Sequence, residues 1–118
     1  MDLSKLKLIG ETDQVSDIIW NEVRQWDYFT RDTIGKQLVR AADSVSANLS
    51  EAYGRYTIPE RIRFIYYSRG SLCETINWIQ KAMRRELIAT DIGNKTISDL
   101  NKISIKLNKY LNSLKAMK

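Results

Sequence analysis

The chain has 118 residues, 43% of them hydrophobic, which is enough for one domain with a single core and leaves no need for stapling disulfides. Nineteen Lys and Arg residues against fourteen Asp and Glu give a net charge of +5, which permits an acidic partner such as nucleic acid without requiring one. The chain has no histidine, which excludes Ser-His-Asp and Cys-His catalytic pairs and imidazole metal ligands.

The cysteine content and the hydropathy of the chain indicate in which compartment the protein is found. The single cysteine, Cys73, cannot form an internal disulfide, so we expect a reduced thiol in the core or in an interface. No apolar run approaches the length of a membrane span, and the first residues do not resemble a signal peptide. The sequence therefore predicts a cytoplasmic protein that does not enter a membrane.

The first predicted helix covers about residues 13–27. Its apolar residues recur at spacings of three and four, at Val15, Ile18, Ile19, Val23 and Trp26. Thr12 or Asp13 is the expected N-cap.

The second predicted helix covers about residues 31–53. One side of it carries Ile34, Leu38, Ala41, Val45, Leu49 and Ala52. Gly54 is expected to end it in the left-handed conformation that glycine adopts readily.

The third predicted helix covers about residues 58–87. Thr57 is positioned to cap it, Glu60 can complete a capping box, and Pro59 falls in the first turn. Apolar residues cover more than one face, which is typical of a central helix or one shared with another subunit.

The fourth predicted helix covers about residues 96–116 and follows a predicted loop at 91–96 that contains Gly93. Its apolar positions form a heptad seam of Leu100, Ile103, Leu107, Tyr110 and Leu114. No segment has the pattern of a strand. Because short loops connect the helices, the sequence predicts an all-α, antiparallel, up-down-up-down four-helix bundle in a single domain, residues 1–118.

A polar stripe runs along the second helix, where Arg40, Ser44, Asn48 and Glu51 share one face. Antiparallel pairing with the third helix would place Arg40 opposite Glu74 and Ser44 opposite Gly70. We therefore predict a partly buried ion pair between Arg40 and Glu74. One interpretation of this polar network is that it sets the register of the two helices, and the other is a ligand or catalytic pocket; we favour the structural one.

The same segments carry a resemblance to a known family, the four-helix-bundle proteins of bacterial 23S rRNA intervening sequences. That family has a core of the form Gln-Leu-x-Arg-Ala-Ala-x-Ser-Ile-x-x-Asn-Ile-x-Glu-Gly, followed by Ala-Arg-Gly-Ser-Leu-x-Glu. Here the first motif is matched by Gln37-Leu38-Val39-Arg40-Ala41-Ala42-Asp43-Ser44-Val45 and Asn48-Leu49-Ser50-Glu51, and the second by Ser68-Arg69-Gly70-Ser71-Leu72-Cys73-Glu74. The match covers about residues 20–88. Ala52 replaces the family's glycine after Glu51.

The resemblance implies an antiparallel four-helix bundle, commonly assembled as a ring of five, with no settled enzymatic activity. Some relatives are accessory proteins of diversity-generating retroelements, in which a basic pentameric barrel engages a reverse transcriptase and nucleic acid. For this chain the resemblance implies a homo-oligomer, and it does not place the chain among the retroelement proteins. RNA, DNA and a protein such as a reverse transcriptase are the candidate partners.

Three functions are compatible with these residues. The first is nucleic-acid binding by basic surfaces of a ring, with Lys95, Lys102, Lys106 and Lys109 on one side of the fourth helix as candidate phosphate contacts and with Arg84 and Arg85 as second choices. We expect few acids near these lysines. The alternative without a binding role is that these lysines are solvated surface groups that keep the protein soluble.

The second function is a protein–protein scaffold, which the apolar third helix and the residues Trp20, Trp26, Tyr66, Tyr67 and Trp78 favour as core or interface groups. The third is an enzyme built on Glu51 and Glu74 or on Ser44. It is disfavoured because acids do not cluster at helical spacing and Ser44 has no evident base. The sequence therefore predicts a non-enzymatic binding protein without cofactor or metal.

Overall fold

The computed structural model describes residues 2–117, which form four long helices and no strand. The helices are α1 (Leu3–Val23), the short α2 (Tyr28–Thr30) with the π-helical segment Arg31–Gly35 after it, α3 (Lys36–Gly54), α4 (Ile58–Arg84) and α5 (Thr90–Ala116). The predicted first to fourth helices correspond to α1, α3, α4 and α5.

Neighbouring long helices are antiparallel, because rising positions on one helix contact falling positions on the next. Between α1 and α3, the Ser16 hydroxyl donates to the Ala42 carbonyl at 3.1 Å and the Ser46 hydroxyl donates to Asp13 at 2.6 Å. The other contacts that show this direction are Ser68 with Val45 and Arg61 with Arg55 (α4 with α3), Met83 with Gly93 and Tyr66 with Lys115 (α4 with α5), and Glu11 with Lys106 and Lys5 with Tyr110 (α1 with α5). The predicted up-down-up-down four-helix bundle is confirmed.

One hydrophobic core runs along the bundle axis and takes residues from every long helix. Its fully enclosed side chains include Leu38, Leu49, Ile65, Ile79 and Leu107. The predicted seam of α5 is buried at Leu100, Ile103, Leu107 and Leu114, with Leu111 completing it. Tyr110 lies at the edge of the core instead, with its ring 5.3 Å from that of Tyr53 in an edge-to-face contact.

Helix α1 begins ten residues before the predicted start at 13, so the predicted N-cap is wrong. The carboxylate of Asp2 accepts a hydrogen bond from the Lys5 N–H at 3.0 Å and caps the helix. Thr12 is buried inside the helix, and its hydroxyl donates to the Ile9 carbonyl. The buried positions Leu8 and Thr12 continue the apolar face of α1 toward its N-terminus.

The predicted caps at the two ends of the α3–α4 connection are confirmed only in part. Thr57 caps α4 by accepting from the Glu60 N–H at 3.3 Å, as predicted. The Glu60 carboxylate accepts from the Thr57 hydroxyl and not from the Thr57 backbone N–H, so the reciprocal half of the capping box is absent. Gly54 is the last residue of α3 and does not adopt a left-handed conformation. The chain leaves α3 through Arg55, whose extended backbone has φ −76° and ψ 148°.

The left-handed C-cap is found instead at the end of α4, where Glu86 has φ 60°. The Leu87 N–H donates to the Ala82 carbonyl at 2.8 Å and the Glu86 N–H donates to the Met83 carbonyl at 3.0 Å, which is a Schellman motif. This motif ends α4 at Arg84, three residues before the predicted end at 87.

The predicted loop at 91–96 is wrong, because α5 already begins at Thr90. Gly93 is buried in the first turns of α5, and a β-carbon there would lie 2.6 Å from Met83 Cγ. This glycine therefore provides space for a side chain of α4 rather than a turn in the backbone.

Candidate nucleic-acid interface

The polar stripe of α3 lies on the outer surface of the bundle and makes mostly local bonds. Arg40 and Glu51 are exposed, whereas Ser44 and Asn48 are half-buried. The Ser44 hydroxyl donates to the Arg40 carbonyl at 2.8 Å, and the Asn48 amide donates to the Ser44 carbonyl at 2.9 Å. These are bonds from a side chain to the preceding turn of the same helix, which do not set the register of two helices.

The predicted ion pair between Arg40 and Glu74 is wrong for the isolated chain. Both side chains are exposed, and the ion pairs within 4 Å among residues 2–117 do not join them. Glu74 instead accepts from the Trp78 indole N–H at 3.3 Å. The helices meet through a strip of α3 closer to the bundle axis, where the fully buried Ser68 hydroxyl donates to the Val45 carbonyl at 2.8 Å.

Glu51 also pairs within its own end of the hairpin. Its carboxylate lies 2.7 Å from the Arg55 guanidinium, which in turn lies 3.6 Å from Glu60. All three side chains are partly exposed, so these pairs contribute little to stability.

Helices α3 and α4 do not approach each other closely at Gly70, the residue predicted to lie opposite Ser44. Gly70 is exposed, and a β-carbon there would have no neighbour within 4 Å. Cys73 is exposed, so the core alternative predicted for this thiol is wrong and the interface alternative stays a prediction.

The four candidate lysines of α5 divide into two kinds. Lys95 lies 3.0 Å from Asp99, and Lys106 lies 2.6 Å from Glu11 of α1, so both charges are neutralised by a carboxylate. The expectation of few acids nearby is wrong for these two. Lys102 and Lys109 are exposed, and no ion pair within 4 Å engages them in the described part of the chain.

The second-choice cations, Arg84 and Arg85, lie at the C-terminal end of α4. Both are exposed, and neither forms an ion pair within 4 Å among residues 2–117. Cations at a helix C-terminus also interact favourably with the helix dipole, which is a structural role open to them without any ligand.

The aromatic side chains predicted to be core or interface groups divide between core and surface, and the interface alternative stays a prediction for the exposed ones. Trp26 and Trp78 pack against the core, as expected. Trp20 is 57% exposed, and Tyr67 is 50% exposed. Periodicity does not separate them, because Trp20 lies at the edge of the buried face of α1, one turn after the buried Ser16.

Cations lie beside several of these aromatics, at positions that the sequence patterns did not single out. The Arg69 guanidinium and the Lys115 ammonium lie 5.4 and 5.3 Å from the centre of the Tyr66 ring. Arg24 and Arg31 lie near Trp20 and Tyr28, in a groove between α1 and α3. The pattern of one helix does not predict the groove as a whole, because α1, the connection after it and α3 form it together.

Asp43, on the outer side of α3, has a raised pKa because of partial burial and, to a smaller extent, repulsion from Asp17 and Asp13 of α1. Ionisation of Asp43 therefore costs more free energy in the folded protein than in the unfolded chain. We expect Asp43→Asn to raise the free energy of unfolding at pH 7 by less than about 0.5 kcal/mol, since solvent screens the charge.

The pH dependence of this gain follows from the direction of the shift. The gain is full above the folded-state pKa and disappears below the ordinary value of 3.8, where the carboxyl group is protonated in both states. Urea unfolding of both proteins at pH 7 and at acidic pH measures the difference. An equal effect of the substitution at both pH values would contradict it.

Clusters of metal ligands and helices that could span a membrane are two further features that bear on the function. Among residues 2–117, the structure brings together no group of three or more His, Cys, Asp or Glu side chains that could hold a metal ion. None of the described helices combines the length and hydropathy that crossing a membrane would require.

Fold and surface together define a small antiparallel helical bundle with cations on its outer faces. The family model described as 23S rRNA-intervening sequence protein matches residues 4–109, and the chain belongs to that family. This match extends into α1 and α5, beyond the residues 20–88 that carried the resemblance. No curated protein matches the chain.

One similar solved structure is a protein of unknown function from the S23 ribosomal protein family of Bacteroides thetaiotaomicron VPI-5482. It superposes with a TM-score of 0.79 at 19% sequence identity, over 88% of this chain and 97% of that one. At this identity the likeness supports the fold alone.

Proposed function

We propose that this protein is a non-enzymatic homo-oligomer of the cytoplasm that binds nucleic acid or a nucleoprotein through cations on its outer faces. The observation that carries the proposal is the set of exposed cations without a carboxylate partner within 4 Å in the described part of the chain, which includes Lys102, Lys109, Arg84 and Arg85. Unpaired surface cations can neutralise phosphates without first breaking an ion pair.

Assembly would multiply this surface. The ring of five implied by the family resemblance is part of the proposal, since each subunit of a ring repeats the same unpaired lysines. Several weak phosphate contacts then act together on one nucleic acid, and the affinity rises without any new contact within a subunit.

The test is fluorescence anisotropy of a labelled structured RNA and a matched duplex DNA, titrated with the protein over a series of salt concentrations. We expect log K to fall linearly with log salt, with a slope of about −0.9 for each phosphate neutralised on the duplex. Replacing both Lys102 and Lys109 by Gln should flatten the slope by about 0.9 for each phosphate that these side chains no longer neutralise.

The matched control replaces Lys95 and Lys106 by Gln. Both double variants remove two charges from α5, but the ammonium groups of Lys95 and Lys106 already pair with Asp99 and Glu11, so we expect a smaller change in slope. Absence of binding by the unaltered protein at low salt would end the nucleic-acid proposal.

A protein–protein scaffold is the alternative, and exposed apolar side chains favour it. The larger ones include Trp20, Tyr28, Phe29, Tyr67 and Ile105. Sedimentation velocity at micromolar concentration separates the two parts of the proposal. A monomer there would remove both the ring and the scaffold, whereas an oligomer that binds no nucleic acid would favour the scaffold.

A further inference from the structure

A groove between α1 and α3 is lined by aromatic and cationic side chains. These differ from the outer lysines of α5, Lys102 and Lys109, on which the proposed function rests. The volume of the groove is about 720 Å³, and it is open to solvent. α1 contributes Trp20, the segments after α1 contribute Arg24, Tyr28 and Arg31, and α3 contributes Arg40. The π-helical segment forms part of its wall, and π-helical turns are frequent at functional sites.

The charges of this groove favour an anion. Lys36 pairs with Asp32 at 3.8 Å, so these two lining charges offset each other. Three arginines, at 24, 31 and 40, then face the single remaining carboxylate, Asp43. None of these arginines forms an ion pair within 4 Å in the part of the chain that the structure describes.

The aromatic groups of the groove present open ring surfaces. Trp20 is 57% exposed and Tyr28 is 74% exposed, although burial of such large aromatic rings in a core is usually favourable. Arg24 is the C-cap residue of α1 and keeps helical backbone angles, so it lies one helical turn after Trp20, which is the separation that brings two side chains to the same face. A ring beside a guanidinium offers a stacking surface for a base next to a contact for its phosphate.

The length of the groove favours a chain of nucleotides over a single one. Its α3 wall runs from Lys36 to Ala47, which spans roughly 16 Å at about 1.5 Å per residue. Several nucleotides fit this length at about 3.4 Å per phosphate of a stacked strand. A paired duplex, in contrast, keeps its bases stacked on each other and cannot offer one to Trp20.

We propose that the α1–α3 groove binds single-stranded nucleic acid, with a base stacked on Trp20 and phosphates held by Arg24, Arg31 and Arg40. This site is separate from the outer lysines of α5, so it extends the proposed function to a second surface. Recognition here rests on exposed bases and charge, which implies little preference for sequence.

The experiment compares a labelled oligodeoxyadenylate of roughly 12 nucleotides, within the usual site size of such binders, with a duplex of equal length. We expect the single strand to bind more tightly. Trp20→Ala should weaken single-strand binding by roughly 5- to 150-fold, the usual effect of removing one stacking platform, while Trp20→Phe retains most of the affinity. Arg24→Gln should flatten the salt slope by about 0.7.

The control for the aromatic substitution is Tyr56→Ala. Tyr56 is 94% exposed in the connection between α3 and α4 and does not line the groove, so its replacement should leave the affinity unchanged. Trp20 and Arg24 are not buried, and equal far-UV circular dichroism spectra would establish that their variants fold.

The outcomes separate this inference from the proposed function. If the Trp20 and Arg24 variants bind the single strand as the unaltered protein does, the groove is overturned, even when the Lys102 and Lys109 variant loses duplex binding. If Trp20→Ala weakens self-association in sedimentation without changing oligonucleotide affinity, the groove is a subunit contact and the inference is wrong. Weaker binding by the groove variants alone supports the groove and leaves the outer lysines without a role.

Discussion

Leu107→Ala is expected to lower the free energy of unfolding by about 2–5 kcal/mol, a large part of the about 5–15 kcal/mol typical of a domain. Leu107 is fully enclosed in the core, on the inward seam of α5. Truncation removes buried apolar surface and leaves a cavity that the four packed helices fill only partly. Urea unfolding followed by circular dichroism measures the effect as a lower midpoint.

The matched control is Ile105→Ala, two residues away on the same helix. Ile105 is 69% exposed, so we expect a change within about 0.5 kcal/mol. A decrease at Ile105 as large as the decrease at Leu107 would contradict the inward seam as the source of stability. It would show instead that another subunit covers the outer face of α5.

Gly35→Ala is expected to destabilise the protein by about 1–3 kcal/mol through overpacking. Gly35 is buried at the end of the π-helical segment, with ordinary helical φ and ψ of −59° and −47°, so alanine would be tolerated there if space existed. A β-carbon would lie 2.8 Å from Val23 Cγ1 and 3.1 Å from the Thr30 carbonyl oxygen. The carbonyl belongs to the backbone and cannot move away alone.

Gly70→Ala is the control, because it makes the same substitution inside α4. Nothing lies within 4 Å of a β-carbon at Gly70, so alanine should stabilise the protein by about 0.5–1 kcal/mol through its higher helix propensity. Urea unfolding of both variants should therefore give shifts of opposite sign. Equal shifts would contradict the crowding assigned to Gly35.

The candidate site could be predicted from the sequence only in part. The lysines of α5 stand out because they flank an apolar seam at helical spacing, and Lys102 and Lys109 are exposed as that spacing indicates. The neutralisation of Lys106 could not be predicted, because its partner Glu11 is 95 positions away along the chain. The α1–α3 groove lies within residues 20–47, but the pattern of a single helix does not reveal it, because the groove forms only when the chain folds back after α1.

Glycine shows why local patterns alone misplaced several helix ends. Gly54 and Gly93 were predicted to lie in backbone turns, yet both are helical, and Gly93 provides space for Met83. The left-handed cap is at Glu86, a residue type that no turn rule selects. Whether a glycine is needed for its backbone freedom or for its lack of a side chain depends on the neighbouring helix.

The sequence by itself determined the class of fold, the four helices and most of their inward faces, because apolar periodicity dictates which side of a helix leaves water. Only the tertiary structure decided that the polar stripe at Arg40 and Ser44 faces outward and that Arg40 and Glu74 do not pair. The rotation of each helix about its axis is set by packing against its neighbours. A rotation of one residue position, about 100°, carries a polar side chain from the interhelical contact to solvent.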